Sequence, residues 1–194
     1  MSILIRDIRL IDGTGAQPVE DAAVLVGDDG SIAAVGSADG LPLTGDAQVI
    51  EGQGRTAMPG LIDTHVHLGT PPGADRLHFE IETLPALKAF HTVRTANLAL
   101  QAGFTTLRDM GSSPEILAAS RAIGLGLAVG PRILTAGPVA MTAGHSDRAM
   151  GRLGWPANPQ DTAEYVLPKM QGCQYTLVQG YDWIKICTSG GVLS

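Results

Sequence analysis

At Met58-Pro59-Gly60 the pattern of the sequence changes. Before it, short extended runs are separated by turn formers; after it, extended runs alternate with long helical stretches. The first pattern specifies hairpins and the second specifies βα units on a parallel sheet. In residues 1–57, Ile3–Ile11 ends in Asp12-Gly13-Thr14-Gly15, Ala22–Val26 closes at Asp28-Asp29-Gly30, and Ser31–Val35 is the return arm of a hairpin. Gln48–Glu51 and Thr56–Met58 read as two further short strands. No helical period runs through this stretch, so a small antiparallel β unit is expected.

From residue 58 onward, strands are predicted over Leu61–His67, Phe104–Asp109, Arg132–Ala136 and Asp182–Cys187. Helices are predicted over Ile81–Gln101, with Gly103 just past its end, and over Ser113–Leu125, with Ser113 as N-cap and Pro114 at its first position. A third helix is predicted over Asp161–Met170, but Pro168 should stop or kink it near Leu167. Residues 165–181 are therefore expected to be the least regular part of this region. Met141–Pro159 is a Gly/Pro-rich loop of a length that usually serves a function. The fold class is α/β, with the β unit of 1–57 preceding a region of alternating strands and helices, 58–194.

Composition narrows the function classes. The chain has 194 residues, 44% hydrophobic and 16% charged, enough apolar material for a buried core. A net charge of −6 argues against nucleic acid, whose phosphates are held mainly by basic residues. No apolar run approaches the roughly 20 residues of a membrane span. Arg6 and Asp7 interrupt the stretch where a signal peptide would be apolar, so a cytoplasmic protein is expected. Cys173 and Cys187 form no Cys-x-x-Cys pair and read as reduced thiols, with a disulfide left open.

The sharpest chemical feature is Asp63-Thr64-His65-Val66-His67 at a strand end. Residues i and i+2 of a strand share a face about 6.5–7 Å apart, so His65 and His67 can reach one metal ion. Ile62, Thr64 and Val66 would face the helices. The same spacing also suits two ordinary polar residues at a strand end. The second feature is Asp182-Trp183-Ile184-Lys185-Ile186-Cys187, followed by Gly190-Gly191. Lys185 shares a face with Trp183 and Cys187 in an otherwise apolar strand. An ammonium is seldom buried unpaired, and burying a lysine favours its neutral, nucleophilic form. A lysine snorkelling from a sheet edge would have the same sequence.

MPGLIDTHVHL (58–68), GFTTLRDMG (103–111), GPRILTAGPVAMTAGHSD (130–147) and DWIKICTSGGVLS (182–194) together resemble the amidohydrolase superfamily. The likeness is to its imidazolonepropionase-like branch, which includes Xaa-Pro and Xaa-Arg/Lys dipeptidases and some N-acyl amino acid amidases. The resemblance implies the first half of a TIM-type (β/α)₈ barrel preceded by part of a small β-sandwich. It implies a divalent metal centre, two zinc ions, with His65 and His67 as ligands. Lys185 would bridge the ions after reacting with carbon dioxide to form a carbamate. His145, in the loop after the third strand, would be the catalytic residue, contacting the scissile carbonyl or the substrate carboxylate; a solvent-exposed loop histidine is the plainer alternative. The activity implied is hydrolysis of an amide bond, in a dipeptide or N-acyl amino acid, by metal-activated hydroxide.

Other residues are less specific. Asp109, at the end of the second strand, either orients a neighbour or caps its turn. Arg108 is expected to face the helical layer, His78 and His91 to lie on the surface, and Trp155 to line the pocket or fasten the loop. A complete barrel needs about 250 residues, so 58–194 covers strands one to four, and the chain reads as an N-terminal portion that is inactive alone. The expected partners are a small amide or dipeptide substrate and either further copies of the chain or a C-terminal portion, with no nucleic acid and no membrane. The alternatives are a cyclic-amide hydrolase or deaminase of the same superfamily, or a non-catalytic truncated half-barrel.

Overall fold

The computed structural model describes residues 1–41, 46–112, 114–137 and 180–185. The chain divides into two compact units, Met1–Pro59 and Gly60–Ser194.

In the first unit, β1 (Ile3–Leu10), β2 (Val19–Val26), β3 (Ile32–Ser37) and β4 (Gln48–Ala57) form one sheet in the order β3-β2-β1-β4. β1 pairs antiparallel with β2, and β2 with β3, as the turn residues predict. β4, however, pairs parallel with β1, so the sheet is mixed rather than antiparallel. After β3 the chain makes a one-turn 3-10 segment, Ala38–Gly40, and then joins the opposite edge beside β1 instead of folding back on β3.

The two short runs expected in 48–58 are one strand with a bulge. Its register moves from Arg6↔Glu51 to Ile8↔Arg55, and Gln53 and Gly54 take φ of 54° and 70° to absorb the extra residues. At Gly52 a Cβ would lie 2.6 Å from the Asp7 carbonyl oxygen and would collide with Ile8, so only glycine fits. Gly-Gln-Gly thus looks like a turn in sequence but serves as a bulge. β2 is buried on both faces, Leu25 and Ala23 against Leu4 and Val24 and Ala22 against Ile8.

In the second unit, β5 (Leu61–Val66), β6 (Phe104–Asp109), β7 (Arg132–Gly137) and β8 (Trp183–Ile184) lie in sequential order, all parallel. The predicted helix over 81–101 is two helices, α1 (Arg76–Glu82) and α2 (Pro85–Gln101). Pro85 has no N–H to donate and its φ suits a first turn, so a new helix starts there. α3 (Glu115–Gly124) follows β6, with Pro114 in the cap position and no side-chain cap bond; Ser113 lies outside the described residues.

α2 turns Lys88, Thr92 and Ala96 inward at a spacing of four, and α3 turns Ile116 and Ala119 inward. Ala96 and Ile116 pack on Leu107 and Ile133 of the sheet, and Leu68 and Tyr181 complete this core. The expectations for 141–159, 161–170 and most of 165–181 lie outside the described residues, as do Cys173 and Cys187. None of the described helices is long and apolar enough to cross a membrane.

Candidate metal centre

The parallel order brings the C-terminal ends of β5, β6 and β8 to one edge of the sheet, where His65, Asp109 and Lys185 stand. Val66 and Leu68 pack into the helix-side core, and His65 and His67, alternating with them, are exposed on the other side. The two imidazoles meet edge to face with centroids 5.4 Å apart. Lys185, which directly follows β8, brings Nζ to 3.4 Å from His65 Nε2. Its stem runs past Gly111, whose Cβ position lies 3.7 Å from Lys185 Cγ. Two strand ends distant in sequence thus present two imidazoles and an amine to one place.

The alternation holds less well further down β5. Ile62 is 64% exposed and Thr64 is exposed, so of the three residues expected to face the helices only Val66 packs there. Pairing steps from Asp63↔Leu107 to Val66↔Asp109, three residues against two, and this break resets the phase of the strand. At the break, His65 N donates to Asp63 Oδ1 at 3.0 Å.

Asp109 is fully buried and does both things expected of it. Its Oδ1 caps the following turn, accepting from Gly111 N (3.1 Å) and Ser112 N (2.8 Å). Its Oδ2 accepts from Ser112 Oγ (2.6 Å) and from Leu68 N (2.7 Å), one residue after His67. Ser112 Oγ in turn accepts from Gly69 N at 3.0 Å. The backbone leaving His67 is therefore tied to the end of β6.

An equivalent tie, for which the sequence shows no local signal, holds the lysine strand. Asp182 Oδ2 accepts from Thr135 N (2.7 Å) and Thr135 Oγ1 (3.2 Å), and Asp182 N donates to Thr135 O (2.9 Å). Beside it Tyr181 is 5% exposed. Burial, then the carboxylates of Glu115 and Asp109, push its phenol above the usual tyrosine range.

Two other expectations are corrected. Arg108 alternates with buried Leu107 and Asp109 and so lies on the sheet face away from the helices. There it donates from Nε to Thr64 O at 2.7 Å and stacks 5.3 Å over the Trp183 ring. His91 is half-buried rather than fully on the surface, and packs edge to face on Phe79, centroids 5.3 Å apart. His78 is exposed, as expected, beside Asp75. His145 and Trp155 lie outside the described residues.

A divalent cation suits the two imidazoles, which converge with the lysine amine from one face. Among the described residues no third His, Cys, Asp or Glu completes the group.

The amidohydrolase family model matches residues 56–193, which include both histidines and the lysine. The chain belongs to the amidohydrolase family. Members of this family are hydrolases and typically bind divalent metals. An enamidase of Eubacterium barkeri is 34% identical over 110 residues, 56% of this chain and 25% of the relative. A dihydroorotase of Bacillus cereus (strain AH187) is 37% identical over 117 residues, 60% of this chain and 23% of the relative. Among solved structures, a Xaa-Pro dipeptidase with methionine bound in its active site matches with a TM-score of 0.77 and 26% identity, over 100% of this chain and 48% of that one. The chain thus spans about half of that solved neighbour. The sequential sheet is the first half of a (β/α)₈ barrel.

Proposed function

We propose that this chain supplies the first metal-binding half of a hydrolase that cleaves the amide bond of a dipeptide or N-acyl amino acid. The observation carrying the reading is the meeting of Lys185 Nζ with His65 Nε2 at 3.4 Å, beside the His67 ring. Zinc, when bound, supplies an activated water and polarises the scissile carbonyl. His65 and His67 hold it through imidazole nitrogens. Lys185 would add to carbon dioxide through its nitrogen: the N–C bond forms as one C–O π bond of carbon dioxide opens onto oxygen, and the N–H proton passes to water. The resulting carboxylate offers two oxygens where the amine alone offers one nitrogen. His145 orients the scissile carbonyl or the carboxylate of the leaving amino acid. Further copies of the chain, or a C-terminal portion, complete the assembly, in a cytoplasmic setting.

A second reading, hydrolysis of a cyclic amide, draws on the similarity to dihydroorotase. Turnover of dipeptides, N-acyl amino acids and cyclic ureides by a version of the chain continued through the remaining barrel strands separates the two. Dipeptide or N-acyl amino acid turnover that needs metal and is lost in His65→Ala and Lys185→Met is the expected result. Turnover confined to cyclic ureides would favour the second reading, and activity unaffected by both substitutions would overturn the metal centre.

A further inference from the structure

The peptide bond between Thr64 and His65 is gripped from both sides. Its N–H, on His65, donates to Asp63 Oδ1, and its carbonyl, on Thr64, accepts from Arg108 Nε at 2.7 Å. It lies where three residues of β5 stand against two of β6. A bulged backbone has lost its regular ladder and takes its orientation from whatever else holds it. The same guanidinium stacks on Trp183, two residues before Lys185 and on the same strand face. Arg108 therefore reaches from β6 to β5 on one side and to β8 on the other, and the contact between Lys185 and His65 joins the same two outer strands.

We infer that Arg108 is a positioning residue that sets the His65 imidazole and the Lys185 amine at their metal-binding separation. The inference rests on the metal-centre reading above. Arginine suits the task because one planar group can donate in its plane through Nε and stack through its face; lysine can donate but cannot stack in this way. The sign of the effect separates positioning from charge. Removing a positive charge near a cation site would by itself tighten cation binding, whereas loss of positioning loosens it.

The test is zinc affinity of the 194-residue chain in bicarbonate, measured by competition with a chromophoric chelator, for Arg108→Met, Arg108→Lys and His65→Ala. A Trp155→Phe background leaves Trp183 as the sole tryptophan, so acrylamide quenching of its emission reports the stacking directly. Arg108→Met is expected to weaken zinc binding roughly tenfold or more, the scale of other outer-shell substitutions, and to raise the quenching of Trp183. Arg108→Lys, which keeps charge and a donor, is expected to fall between Arg108→Met and the parent in zinc affinity while matching Arg108→Met in quenching. If His65→Ala weakens zinc binding but both Arg108 variants bind within about twofold of the parent, or tighter, the positioning role is overturned and the metal centre stands. If His65→Ala leaves zinc affinity unchanged, the metal-centre reading falls and this inference with it.

Discussion

Asp109 concentrates more of the site's order than any other described side chain. Four donors from three residues converge on its carboxylate, and one of them, Leu68 N, follows His67. Asp109→Ala would leave buried N–H groups without acceptors, so a loss of about 3 kcal/mol is expected in urea unfolding. Asp109→Asn, which keeps one carbonyl acceptor, should cost less. Equal stability of Asp109→Ala and the parent would mean that water replaces these bonds. Tyr181 gives a pH signature. Its phenol is raised in the folded chain by burial and by the carboxylates of Glu115 and Asp109, so the folded state keeps the proton longer than the unfolded one. That contribution is fully present below about pH 10 and is lost as pH rises through the higher folded value. Melting curves between neutral and strongly alkaline pH should fall more steeply for the parent than for Tyr181→Phe; parallel curves would contradict this.

At the scale of elements, the strand carrying the histidines starts at a tight approach. A Cβ on Gly60 would stand 2.6 Å from Thr105 Cβ and collide with its Oγ1 and Cγ2. Threonine is branched and stiff, so it cannot swing aside. Gly60→Ala is therefore expected to destabilise by roughly 1–3 kcal/mol, as overpacking does. Thr105→Gly should relieve part of that cost in the double variant, despite the weakening that glycine brings to a strand. Additive losses in a double-mutant cycle followed by denaturant unfolding would show that the two positions do not compete for space.

At the scale of the molecule, the described half-barrel brings together two imidazoles and one amine, few donors for the two zinc ions of the proposed centre. The 194-residue chain alone is expected to turn over dipeptides far more slowly than a version continued through the later strands, even with zinc and bicarbonate. A comparable rate from the monomeric chain would overturn the half-barrel account of its function. Apolar side chains are also open to solvent in the second unit, among them Phe90 at 71% and Leu127 at 78% exposure. Exposure of that extent favours association. Sedimentation velocity over a concentration series should show species larger than the monomer, and a strictly monomeric chain would count against it.

The sequence by itself determined what is local. Period-two spacing put His65 and His67 on one face and Lys185 with Trp183 on another strand's face. Strand and helix alternation after Met58 specified a parallel sheet, because these patterns follow directly from backbone geometry. Pro85 was equally legible, but the apolar run through Ile81–Gln101 hid the break it makes. Tertiary structure decided the rest. The parallel placement of β4 depends on where the chain crosses the sheet, and the face of Arg108 depends on its register with neighbouring strands. The ties from Asp109 to Leu68 and from Asp182 to Thr135 join residues 41 and 47 positions apart, too far for any local pattern to record. Residue type told which side chains could form the site, and long-range pairing set the distances at which they meet.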